Sequence, residues 1–217
     1  MKVTIGCMEK PTWWLVHSYV FISIAFTMIL AMTLQTWQFI HSNSQGIDFH
    51  GGLLRFEEQE AFINDYDCDN YSDCSSADGF NSDQQDVFSN YHTGGLTYIV
   101  TTSLSVVALT SCVVILVLDV AEKFSKTILT VVLIWVAFLL NAVGFIVWAV
   151  NVKVTFGGQD NCESDSYVDK DGDQVNACAG PAGVLGLVIA VVTFFTCLLH
   201  TLLWFETNRA ASQVQVP

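Results

Sequence analysis

Four stretches of the chain, about residues 12–39, 96–118, 127–150 and 181–205, contain no Asp, Glu, Lys or Arg and are dominated by apolar side chains. At 1.5 Å rise per residue, each exceeds the roughly 20 residues that cross a hydrocarbon core of about 30 Å. An ionised group at the bilayer centre costs at least about 2.5 kcal/mol, so a charge-free run of this length is what a spanning helix requires. The rest of the composition makes sense only beside these runs. The formal net charge is −13, yet 13% of residues are charged and 52% are hydrophobic. An acidic disordered chain would have low hydrophobicity, and a soluble domain carries roughly 25% charged residues. Here charge and apolar surface are segregated along the chain. No basic cluster is present to neutralise phosphates, so nucleic acid is not expected as a partner.

The predicted organisation is an N-terminal segment 1–11, spans at 12–40, 95–118, 127–150 and 181–205, loops at 41–94 and 151–180, a link at 119–126 and a tail at 206–217. Cations fix the expected orientation. Lys2 and Lys10 precede the first span, Lys123 and Lys126 lie in the short link, and Arg209 follows the fourth span. Residues 41–94 hold Arg55 against eleven acids, and 151–180 hold Lys153 and Lys170 against six. The positive-inside rule puts both termini and the link in the cytoplasm, as in a multi-pass plasma-membrane protein. Seventeen of the 21 acids then face outward. Trp13, Trp14 and Trp37 stand near the two ends of the first run, where an interfacial belt is expected.

Cysteine placement agrees with that orientation. Cys68 and Cys74 lie in the first outer loop, Cys162 and Cys178 in the second, an arrangement suited to two disulfides in an oxidising compartment. Four cysteines allow three connectivities; the local pairs Cys68–Cys74 and Cys162–Cys178 close the shortest rings. Cys7, next to the membrane on the cytoplasmic side, is a candidate for palmitoylation or a plain thiol. Cys112 and Cys197 fall inside spans and read as small hydrophobes. Asn70-Tyr71-Ser72 is a glycosylation sequon between Cys68 and Cys74. Asp169, Asp171 and Asp173 copy the opening of an EF-hand calcium loop, but Gln174 and Gly180 replace its Gly and its bidentate Glu. A solvated acidic turn competes with weak Ca²⁺ binding; no other cofactor is expected. Val152, Val154 and Phe156 alternate with Lys153 and Thr155, the period of a short strand leaving the third span.

Within the spans, Ala182, Gly186 and Ala190 form a small-residue face for close helix approach. Thr97, Thr101 and Ser105 offer a similar face on the second span. Asn141, His17 and His200 are the strongly polar side chains at depth, and interhelical hydrogen bonds are their expected role. No intramembrane carboxylate is present for a proton relay. The sequence contains no C-x-x-C, H-E-x-x-H, Gly-rich phosphate loop or G-x-S-x-G, so an enzyme is not expected.

Four spans, both ends inside, a first outer loop of about fifty residues with a close Cys68/Cys74 pair, a tiny inner link and a shorter second loop: this layout resembles the claudin and peripheral myelin protein superfamily and the amastin surface proteins. Tetraspanins differ in having their large loop second, and connexins in having a long inner loop. The resemblance implies a disulfide between Cys68 and Cys74. The fold expected is an all-α membrane bundle of four transmembrane helices with two disulfide-bearing extracellular loops and a short β element outside. The expected function is that of a non-enzymatic surface tetraspan that organises membrane by lateral assembly and outer-loop contacts, a claudin-like structural or adhesion role, with membrane lipids and either further copies of itself or a larger membrane protein complex as partners. An accessory subunit of a channel and an oligomeric cation-attracting pore are the competing readings.

Overall fold

The computed structural model describes residues 4–5, 8–42, 47–55, 70–77, 80–121, 127–156, 162–164 and 173–214. Four of its helices are long and apolar enough to cross a membrane. These are α1 (Lys10–Thr33), α3 (Ser82–Val120), α4 (Ile128–Val152) and α5 (Pro181–Val214); α2 (Tyr71–Cys74) is a single turn. The short strands β1 (Thr4–Ile5) and β2 (Met8–Glu9) pair with each other ahead of α1. The remaining strands, β3 (Gln38–Ser42), β4 (Ile47–Gly51), β5 (Val154–Thr155) and β6 (Ala177–Ala179), form one sheet in the order β4-β3-β6-β5.

Helix ends do not coincide with the ends of the apolar runs. The first run continues to Phe39, but α1 stops at Thr33, and Gln38 and Phe39 already belong to β3. At 39 residues, or about 58 Å, α3 is nearly twice the length the hydrocarbon needs; its polar first turns, from Ser82 to His92, precede the apolar part. Asn81 starts it as an N-cap, its side chain accepting from the Gln84 N–H while Gln84 accepts from the Asn81 N–H.

The chain divides into two compact units. One comprises residues 1–29, 102–141 and 189–217, the other residues 30–101 and 142–188. In the first, buried positions recur every three or four residues: Trp14, His17, Phe21 and Met28 on α1; Ser105, Leu109, Cys112 and Leu116 on α3; Thr130, Ile134, Ala137 and Asn141 on α4. The outward faces are equally apolar, with Leu15, Tyr19, Ile22 and Phe26 exposed on α1 and Val107 and Val114 on α3. That is the pattern of helices solvated by lipid, where polar side chains turn inward. Ser105 donates to the Ala137 carbonyl and Thr102 donates to Asn141 Oδ1 at 3.3 Å, so α3 and α4 are joined by hydrogen bonds inside this unit.

The second unit holds the four-stranded sheet and the helix segments beside it. β3 and β4 are antiparallel, with Phe39 opposite His50, and β3 pairs on its other side with β6, Phe39 opposite Cys178. β5 runs parallel to β6. Lys153, at φ 51°, makes the left-handed bend that turns α4 into β5.

Candidate functional site

The sheet joins the two long loops. β3 and β4 come from the segment between α1 and α3, whereas β5 and β6 come from the segment between α4 and α5. A disulfide between Cys162 and Cys178, with Cα atoms 5.4 Å apart, ties β6 to the 162–164 segment. That segment runs along β3: His41 N–H donates to the Cys162 carbonyl at 3.0 Å, and Ser164 N–H donates to the His41 carbonyl at 2.8 Å. At the far edge, Lys153 Nζ donates to the Gln174 carbonyl and Gln174 Nε2 donates to the Asn151 carbonyl. Each loop therefore supplies hydrogen-bond partners that the other needs.

Under the sheet lies an aromatic core centred on Trp37. Its indole is fully buried, and Nε1 donates to the Ala31 carbonyl, one of the last carbonyls of α1, at 3.0 Å. The ring packs on Tyr98 at 4.7 Å and edge-on against Trp148 at 5.0 Å. The interfacial belt expected of Trp14 and Trp37 is corrected here, since both are buried, Trp14 against the ring of His200. Tyr71, on α2, is the second anchor. Its hydroxyl donates to the Gly52 carbonyl at 3.2 Å and accepts from Gln38 Nε2 at 2.9 Å, and its ring meets Tyr91 of α3 edge-on. Asn70 caps α2, accepting from the Asp73 N–H through its side-chain oxygen while Nδ2 donates to Asp73 Oδ2 at 2.7 Å.

Glycines let the backbone approach these anchors. A Cβ on Gly183 would fall 2.6 Å from the Trp37 carbonyl and 2.8 Å from the Trp148 ring, and one on Gly180 would fall 2.6 Å from the Thr36 carbonyl. A Cβ on Gly95 would collide with the Leu53 carbonyl, and one on Gly144 with Thr101 Oγ1. None of these four stands in a spacing that singles it out in the sequence. Ala182 and Gly186 are buried and Ala190 is half-buried. What Gly186 admits is not a helix backbone but the side chains of Trp37 and Phe145.

The first unit contains a buried polar cluster of its own. His200 is wholly buried, its ring 5.1 Å from that of His17 and 5.3 Å from that of Phe21. Thr130 Oγ1 donates to the Thr127 carbonyl at 2.7 Å and lies 2.8 Å from His200 Nε2. That contact is a hydrogen bond between α4 and α5, and its direction depends on the histidine tautomer. Cys112 Sγ donates to the Thr130 carbonyl and Cys197 Sγ to the Ile134 carbonyl, and both thiols are free and buried. Among the described residues, no three His, Cys, Asp or Glu side chains converge to hold a metal ion. In this cluster the Thr130–His200 and Cys197–Ile134 bonds link α4 with α5, and the Cys112–Thr130 bond links α3 with α4.

Cys74 is disulfide-bonded. Cys68, Cys7, Asp169 and Asp171 lie outside the described residues, and Asp173 is exposed. The described parts of the two loops meet in one sheet, and four helices suit a multi-pass membrane protein of tetraspan topology. No family model matches the chain, and no curated protein matches it.

Proposed function

We propose that the protein is a non-enzymatic surface tetraspan that organises membrane by lateral assembly and by contacts through its outer loops, the role implied by its claudin-like layout. One observation carries this reading: both long loops contribute strands to a single sheet, stapled by Cys162–Cys178 and seated on a fully buried aromatic core. A sheet anchored so firmly is suited to presenting fixed contacts rather than to opening and closing. In this reading the sheet faces outside the plasma membrane, and Lys2, Lys10, Lys123, Lys126 and Arg209 hold both termini and the link in the cytoplasm. The exposed apolar faces of the helices meet lipid or a second copy.

Cross-linking in intact membranes, followed by isolation in mild detergent and native mass measurement, tests the proposal. Self-associated protein is the expected product. A foreign subunit recovered in fixed stoichiometry would instead make the chain an accessory subunit, and a monomer with no cross-linked product would remove lateral assembly.

A further inference from the structure

The geometry points to a phospholipid-binding cleft at the sheet end of α1, with Arg55 as the ligand for the lipid phosphate. The cleft, about 420 Å³, is lined by Met32, Thr33, Leu34, Gln35, Gly52, Leu53, Leu54, Arg55 and Ile99. That volume lies within the roughly 300–1,000 Å³ range of small-molecule sites.

Its walls are fixed by two close backbone approaches. The bend at 52–55 sits against the chain leaving α1, where a Cβ on Gly52 would fall 3.0 Å from the Gln35 carbonyl; Gly52 N–H also donates to the Arg55 carbonyl at 2.8 Å. The same bend rests on α3, because Gly95 admits the Leu53 carbonyl where any side chain would collide. The cleft is therefore built into the fold by glycine contacts.

Its position selects a lipid. Leu30 and Leu34 on one side, and Leu96 and Val100 on α3, are exposed apolar residues of the kind that face acyl chains. The cleft opens where α1 ends and polar backbone begins, the depth of the headgroup and glycerol. Leu53, Leu34, Met32 and Ile99 offer an apolar lining for the first methylenes of a chain, and Arg55 belongs to the same lining. Arg55 is exposed, and among the described residues it has no ion-pair partner. Guanidinium is the side chain whose forked donors match a phosphate.

Charge then narrows the class of headgroup. Arg55 is the single base in residues 41–94, against eleven acids. A segment of that net charge disfavours a headgroup of net negative charge but tolerates a zwitterion, which offers a phosphate to Arg55 and carries a compensating ammonium. The ligand assigned is a zwitterionic glycerophospholipid in the leaflet on the sheet side.

The test uses full-length protein, delipidated in mild detergent and titrated with phosphatidylcholine, phosphatidylglycerol, a sterol or inorganic phosphate, with adducts counted by native mass spectrometry. Phosphatidylcholine should bind with saturation, Arg55→Gln should weaken it about tenfold, and Arg209→Gln should leave it unchanged. Melting curves for both variants confirm that they are folded. Equal binding by wild type and Arg55→Gln would overturn the proposal. So would tighter binding of phosphatidylglycerol or of the sterol. Saturable binding of inorganic phosphate alone would also overturn it, leaving an anion site that does not need a lipid.

Discussion

Gly186 of α5 lies beneath the indole of Trp37, and a Cβ at position 186 would meet Cη2 and Cζ3 of that ring at 3.1 Å. Phe145 of α4 closes the same space, its Cδ2 3.2 Å from that Cβ. An alanine would need a shift of a few tenths of an ångström; a leucine has no room. Gly186→Leu is expected to lower stability by about 1–3 kcal/mol, as overpacking does. Thermal unfolding in detergent, followed by tryptophan fluorescence, reports it. A variant that melts like wild type would mean that this face looks at lipid.

Gly95 supports the bend over α3 in the same way, but against backbone. Because the Leu53 carbonyl cannot rotate aside as a side chain can, Gly95→Ala should cost more than Gly186→Ala does. Ranking the two melting temperatures in parallel checks the order, and equal losses would show that the bend yields.

Tyr71 holds three segments through one hydroxyl, bonded to Gln38 on β3 and to the Gly52 carbonyl after β4 while its own ring sits on α2. Tyr71→Phe keeps the ring and leaves a buried carbonyl and a buried amide N–H unpaired. The expected loss is about 1–3 kcal/mol per abandoned group, reduced if water enters. Hydrogen exchange should rise at Gln38 and Gly52 while α4 stays protected; a uniform rise across the molecule would count against a local role.

The Cys162–Cys178 bridge closes a loop of 16-residue separation, for which chain entropy gives about 3 kcal/mol. The double variant Cys162→Ala with Cys178→Ala should melt lower and lose protection at the β3–β6 pairs, Gln38 with Ala179 and Phe39 with Cys178. Peptide mapping without reduction should recover the two cysteines in one joined fragment, and finding them as free thiols in protein from cells would contradict both the bond and the outside placement.

Thr130 is the hydroxyl to which His200 bonds. Thr130→Val keeps the shape and leaves His200 Nε2 without its hydroxyl partner, at a cost of about 1–3 kcal/mol. Thr130→Ser should restore most of it. A variant pair that behaves alike would assign the stability of this cluster to ring packing among Trp14, His17 and His200 instead.

The number of membrane crossings open to the chain was legible in its apolar runs, because a charge-free run needs no partner to be recognised: lipid alone decides it. The sequence also marked which segments are too polar for the hydrocarbon, and the alternation from Val152 to Phe156 marked the strand at Val154–Thr155. Polar His17, Asn141 and His200 and small Ala182 and Gly186 marked buried positions in advance, but which apolar side chains join them was settled by the tertiary structure. In lipid both faces are apolar, so hydrophobic periodicity, the signal that marks a core in water, is absent, and burial follows size and hydrogen bonding instead. The same reason hid the sheet. Trp37, Gln38 and Phe39 extend an apolar run and read as a membrane span and its belt, yet Trp37 turns inward because its N–H finds the Ala31 carbonyl and its ring finds Tyr98 and Trp148. Those partners lie 61 and 111 residues away along the chain. The pairing of β3 with β6 and the bonds of His41 to Cys162 and Ser164 bring the two loops together, and no local pattern encodes contacts across that distance.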